Sequence, residues 1–274
     1  MNLKNSFKYF LCYWKYSFGL FAKFKVISYY LKRILFYLGV YGINEHRLVS
    51  LKLDDLKIFF NISSPEAGTF KEIFVDKVYE REDYFIPQNG WTVLDLGANI
   101  GAFSLRNSSR VRNGRIIAFE PNYDIFSILS KNLKANQIQN VAIFPLAIGA
   151  QQGIMKFIVS CLSTGDGSIV EWRYKNLLKK GNYKEFPVMV DTLDHFAELY
   201  EIKGPIDLIK FDIEGAEYDA ICGGKNVLKM TKRIVMEFHD ETIFAKIKLK
   251  LAENGFDCIR ILHENKIAYF LKKS

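Results

Sequence analysis

Cysteine is scarce and scattered. Cys12, Cys161, Cys222 and Cys258 show no Cys-x-x-Cys spacing, so neither a zinc site nor a disulfide framework is suggested. Buried free thiols in a reducing compartment are the simplest expectation. Acid is missing from residues 1–40; the first acidic side chain is Glu45. No stretch is long and apolar enough to span a bilayer. The longest uncharged run, Ala135–Met155, is interrupted by Gln137, Gln139, Pro145, Gly149, Gln151, Gln152 and Gly153. A secretory leader is not expected either. Uncharged runs before Lys32 reach at most seven residues, and no small-residue cleavage site follows. These absences point to a cytoplasmic protein.

What is present looks globular. The 274 residues are 49% hydrophobic and 25% charged, which excludes disorder over most of the length. That length suits one large α/β domain, or one domain with an appendage. The net charge of +8 is uneven. Lys4, Lys8, Lys15, Lys23, Lys25, Lys32 and Arg33 lie in the first 40 residues, leaving 31 basic against 30 acidic residues in the remainder. Phe7, Leu11, Trp14, Phe18 and Phe21 form one helical stripe, and Ile27, Leu31, Ile34 and Leu38 form another. Such a basic aromatic arm could lie on an anionic membrane surface, peripheral at its inner face. It could equally pack on the domain as a helical layer, or contact nucleic acid. The boundaries expected are an arm over 1–46, a hairpin and helix over 47–90, and the main domain over 91–274.

Runs at Arg47–Leu53 and Leu56–Ile62 read as a hairpin, followed by a helix over Glu66–Tyr79. From Trp91 strands and helices alternate. Strands are expected at Thr92–Leu96, Arg115–Phe119, Val141–Ala147, Ile154–Val159, Glu185–Val190, Ile206–Ile213 and Arg233–Phe238. A terminal hairpin spans Phe256–His263 and Lys266–Leu271. Mainly apolar runs such as Val93–Leu96, interrupted by Asp95, suit strands covered on both faces. The alternation predicts a doubly wound Rossmann-like sheet, with ligands beyond the carboxyl ends of its strands.

Those ends carry the chemistry. The first closes in Asp95-Leu96-Gly97-Ala98-Asn99-Ile100-Gly101. It lacks the Gly-x-Gly-x-x-Gly of dinucleotide sites. Asp95 would repel a pyrophosphate and attract an ammonium and a sulfonium. S-adenosylmethionine (SAM) carries both, together with a carboxylate for turn and helix N–H groups. The second strand ends in Glu120-Pro121, where an acid can accept hydrogen bonds from ribose hydroxyls. Ala147, after the third, could flank an adenine. Lys210, Asp212 and Glu214 alternate at the fourth, where strand periodicity puts them on one side. Charges on an apolar strand are costly unless paired or functional. Glu237 and His239 end the fifth, and His239 beside Asp212 is a candidate base.

These residues resemble the FkbM family of SAM-dependent methyltransferases. The resemblance rests on Val93–Gly101, Ala118–Asn122, Leu146–Gly149, Ile209–Glu217 and Glu237–His239. It implies a class I methyltransferase fold of seven strands with the last antiparallel, and O-methylation of a hydroxyl on a small molecule, sugar or glycan. Asp95, Gly97, Ala98, Asn99, Gly101, Glu120, Pro121 and Ala147 are the expected cofactor contacts. Asp212 and His239 are the candidate bases, with Glu214 orienting or binding the acceptor. No histidine cluster or tight acid triad argues for a metal. Nucleic acid is disfavoured as acceptor, because the chain has neither an Asn-Pro-Pro-Tyr motif for amine methylation nor a Pro-Cys nucleophile. An RNA methyltransferase using the arm and a non-catalytic SAM-binding module are the alternatives. Residues Ser160–Lys184 have no firm match in the family. Within them Ser163–Ser168 reads as a loop over the site.

Overall fold

The computed structural model describes residues 48–53, 55–61, 69–160, 163–179 and 183–273, with Trp14, Lys23, Ile27, Ser28 and Leu31 before them. Those five positions are helical. The rest of the arm, including Phe7, Leu11, Phe18, Phe21, Ile34 and Leu38, lies outside the described residues. No helix among the described residues is long and apolar enough to cross a membrane.

Strands β1 (Leu48–Leu53) and β2 (Leu56–Asn61) form the expected hairpin. The helix after it is a π-turn over Lys71–Asp76, closed by Lys77 at φ 52°. It stops three residues short of Tyr79, the expected end. The main sheet contains β3 (Thr92–Leu96), β4 (Arg115–Phe119), β5 (Val141–Phe144), β10 (Leu208–Phe211), β11 (Arg233–Glu237), β12 (Phe256–Leu262) and β13 (Ile267–Lys272). Their order is β12-β13-β11-β10-β3-β4-β5. All neighbours from β11 to β5 are parallel, and β13 is antiparallel to β11 and to β12. This is the class I methyltransferase topology.

Period-two alternation sorts the core into two layers. Val93 and Leu208 face a layer with Phe103 and Leu105 of α1 (Ala102–Ser108) and Leu129 of α2 (Tyr123–Ala135). Ile58, Phe60, Phe70, Phe74 and Tyr79 join that layer. Leu94, Leu96 and Ile209 face the other. That layer receives α4 (Leu193–Leu199), α5 (Glu217–Cys222), α6 (Lys225–Met230) and α7 (Glu241–Glu253). Asp95 and Lys210 share the first layer by the same alternation.

Three expectations need correction. The single strand over Val141–Ala147 is broken at Pro145, which has no N–H for the ladder. Ala147–Ile148 is a separate β6 in a second sheet, order β6-β9-β7-β8, with β7 at Gly153–Ser160 and β9 at Tyr183–Asp191. Ser163–Ser168 is no loop but strand β8, paired antiparallel with β7; helix α3 (Glu171–Lys179) follows it. The described cysteines, Cys222 and Cys258, are free but exposed rather than buried; Cys12 and Cys161 lie outside the described residues.

Candidate active site

The glycine turn is held by its own backbone. Gly97 has φ 75°, and a Cβ there would come within 1.7 Å of the Asp212 carbonyl oxygen. Only a residue without a side chain lets β3 and β10 approach so closely. Asn99 is also left-handed, at φ 51°, and its Oδ1 accepts from the Ile100 amide at 2.7 Å. The amides of Gly97 and Ala98 bond Phe119 O, and that of Gly101 bonds Ala98 O. The Asn99 amide donates to Glu120 Oε2 at 2.9 Å. The N–H groups from Gly97 to Gly101 are therefore engaged within the protein. Asn132, fully buried, steadies the turn from outside. Its Nδ2 donates to Ile100 O at 2.8 Å and to Phe59 O on β2 at 2.9 Å.

Glu120 accepts at both oxygens, from Asn99 and from the Asn122 amide at 2.8 Å. It is only 7% exposed. Burial outweighs these bonds and pushes its carboxyl up to about 7. Each oxygen retains a lone pair for a further donor. Pro121 beside it is half-buried, and Ala147 is buried at the start of β6.

Asp95 is fully buried. Ser104 Oγ donates to its Oδ2 at 2.7 Å, and Lys210 Nζ lies 3.1 Å from its Oδ1. Its charge is thus met inside the protein by the Lys210 ammonium. Lys210 Nζ also reaches Gly97 O at 2.8 Å and Asp212 Oδ2 at 3.3 Å. Burial alone would lower the Lys210 pKa, but Asp95 and Asp212 together raise it. Lys210 is the link between glycine turn, buried acid and Asp212, whose side chain is 22% exposed.

Glu214 departs from the alternation that places Lys210 with Asp212. The strand ends at Phe211, and Glu214 sits in a turn at φ 54°. It pairs with Arg173 of α3 and, at 3.1 Å, with His239 Nε2. His239 also has Glu217 at 3.6 Å and Glu237 at 3.7 Å. Burial opposes its charge, but the neighbouring Glu214 and Glu217 carboxylates outweigh it and raise its pKa to about 11. That shift favours the imidazolium form. In that form His239 neutralises the carboxylates around it. Burial raises the Glu214 pKa and, with Asp212 next, holds the Glu237 carboxyl well above its usual range. Among the described residues no group of three or more His, Cys, Asp or Glu is arranged to hold a metal.

Four contributors escaped sequence reasoning. Arg173 and Trp172 come from the segment between β7 and β9, where Trp172 covers Gly215 so closely that a Cβ there would lie 2.5 Å from its ring. Their only sequence signal is a Trp-Arg pair in an otherwise polar segment. Tyr79 and Glu72 come from the chain ahead of β3. Glu72 is exposed, yet enclosed enough that desolvation, then Asp212, raises its pKa to about 7.

The model of the methyltransferase FkbM domain matches residues 95–258, from the buried aspartate of β3 into β12. The chain belongs to the FkbM methyltransferase family. The FkbM domain, a SAM-dependent methyltransferase domain, has relatives of several kinds. Methyltransferase sdnD of Sordaria araneosa is 28% identical over 227 residues, covering 74% of this chain and 86% of that protein. The 2-O-methyltransferase NoeI of Sinorhizobium fredii is 29% identical over 163 residues, covering 56% and 65%. The AMB antimetabolite synthetase AmbE of Pseudomonas aeruginosa is 26% identical over 231 residues. That match covers 72% of this chain and 10% of AmbE, so the FkbM domain corresponds to a small part of that synthetase.

Proposed function

We propose that the protein transfers a methyl group from SAM to a hydroxyl oxygen on a small molecule, sugar or glycan. One observation carries this reading. Asp212, a part-exposed carboxylate, stands where β10 meets the glycine turn and is tied to that turn through Lys210. A relative named as a 2-O-methyltransferase supports a hydroxyl acceptor.

SAM, when bound, supplies an electrophilic methyl group. Glu120 suits the ribose hydroxyls, with Gly97, Ala98, Asn99 and Gly101 forming the turn beneath and Pro121 and Ala147 the flanks. Asp95 supports that turn through Ser104 and Lys210. Asp212 takes the proton that the acceptor hydroxyl loses, and a positioned base of this kind contributes about 100- to 10,000-fold. Glu214, held by Arg173 and His239, orients the acceptor. An RNA acceptor would bring phosphates against Asp212, which argues against the nucleic-acid alternative.

The test is incubation with labelled SAM and separate glycan, lipid, RNA and metabolite fractions. Label is expected in glycan or metabolite; label in RNA alone would refute the reading. Asp212→Asn should abolish transfer while SAM affinity stays within a few fold. Full activity in that variant removes Asp212 from the mechanism.

A further inference from the structure

Arg173 brings a cation from α3 to the acids beyond the end of β10. Its guanidinium pairs with Glu214, and the two side chains keep 19% and 17% exposure. The bond from Nη2 to Glu214 uses one of five donors. Among the described residues, the buried Nε has no hydrogen-bond partner. A buried donor without a partner is costly, and native proteins leave few of them. Packing fixes where these donors stand. Val170 and Ile213 pack on one cluster with Ile169 and Ala216. Trp172 lies against Gly215, whose amide donates to Glu217 Oε1 at 3.0 Å. The first turn of α3 is thus seated on the turn that carries Glu214. His239 Nε2 holds Glu214 as well, at 3.1 Å. Glu237 is engaged in its turn, with His239 Nε2 at 3.7 Å and the Tyr79 hydroxyl at 3.4 Å. Arg173 keeps donors to offer, beside an acid two residues from Asp212. Two residues of chain span at most about 7 Å.

We propose that Arg173 determines acceptor specificity, donating to a second oxygen on the carbon next to the one whose hydroxyl is methylated, while Glu214 accepts from that same group. The proposal rests on the function argued above. Asp212 takes the proton of one hydroxyl. The guanidinium–carboxylate pair beside it presents a donor and an acceptor together, and a neighbouring hydroxyl answers both. The acceptor is then a sugar or polyol with oxygens on adjacent carbons, not an isolated alcohol or a simple phenol. A site built to hydrogen-bond a group discriminates strongly against an analogue that lacks it. The competing role for Arg173 is a latch that only fastens α3 to the turn. A latch needs a positive charge, which lysine also supplies. Holding Glu214 while meeting a second oxygen needs the planar fork of arginine.

The experiment compares the full chain with Arg173→Met and Arg173→Lys, using labelled SAM and the glycan or metabolite fraction that takes up label. Both variants should raise the apparent KM for that fraction at least about tenfold, the effect of losing one charge-assisted hydrogen bond. The kcat should stay within about threefold, because a contact made equally in ground and transition states moves KM alone. SAM affinity by calorimetry should also stay within about threefold, which reports that the variants are folded. A wild-type KM in Arg173→Met overturns the inference, as does a loss confined to kcat. A wild-type KM in Arg173→Lys reduces Arg173 to a latch and overturns it too. Mass spectrometry of the wild-type product gives a test that needs no variant. The methyl ether is expected on a carbon whose neighbour bears oxygen. A product without that neighbouring oxygen overturns this inference and leaves the proposed function standing. A wild type that binds SAM but transfers no methyl group overturns both.

Discussion

Glu120 ties cofactor binding to pH. In the cofactor-free protein its carboxyl titrates at about 7 instead of 4.5, chiefly through burial. That difference corresponds to about 3 kcal/mol against the ionised form. Ribose hydroxyls are donors, and donors favour the carboxylate. Binding below pH 7 must therefore displace a proton. The expected SAM dissociation constant is nearly flat above pH 7.5 and weakens tenfold per pH unit below 7, about 30-fold between pH 8 and pH 5.5. Glu120→Gln should remove the slope. It should also weaken binding at every pH, because a carboxamide offers one oxygen to the two amides of Asn99 and Asn122. A buried N–H left facing another donor costs about 1–3 kcal/mol. Calorimetry in two buffers of different ionisation enthalpy counts the proton released. Wild-type affinity that does not vary with pH, or a slope that survives in Glu120→Gln, refutes the reasoning. Stability follows the same linkage with its own sign. A carboxyl raised in the folded state contributes stability below its unfolded pKa. That contribution is lost as pH rises to about 7, so the cofactor-free protein should melt lower at pH 7.5 than at pH 5.

Lys210→Met leaves Asp95 buried without its cation. Urea unfolding should show a loss of about 3–5 kcal/mol, and a loss under about 1 kcal/mol would mean that Lys210 does not hold the turn. Gly97→Ala puts a methyl group 1.7 Å from the Asp212 carbonyl oxygen at a φ of 75°. The turn must move away from β10, so SAM binding should fall below detection by calorimetry; an unchanged affinity contradicts the close approach.

Much of the sheet could be read from apolar runs. Val93–Leu96 and Ile206–Ile209 are apolar apart from Asp95 and Asp207 because both faces are covered, and β3 and β10 form there. The second sheet could not be read this way. Gly-rich Ser163–Ser168 has a turn-like composition, but pairing with β7 decides its conformation. Helix α6, six residues long, is too short for a periodic signal. At the site, spacing was enough to connect Lys210 with Asp212. It could not show that Lys210 already neutralises Asp95, nor that Glu214 and Glu217 keep His239 charged. Those are contacts between distant segments, as are those of Arg173 and Tyr79, and periodicity carries no information about them.

Asn132 bonds both β2 and the glycine turn, and this separates inherited similarity from physical modularity. The family match begins at Asp95, inside a strand that starts at Thr92. Ile58, Phe60, Phe70, Phe74 and Phe85, all ahead of it, belong to the same buried layer as Val93 and Leu129. A protein cut at the edge of the match would lose a wall of its core and one of the two anchors of Asn132. The smallest autonomous unit is therefore larger than the recognisable one, and the hairpin acts as a distant splint for the cofactor turn.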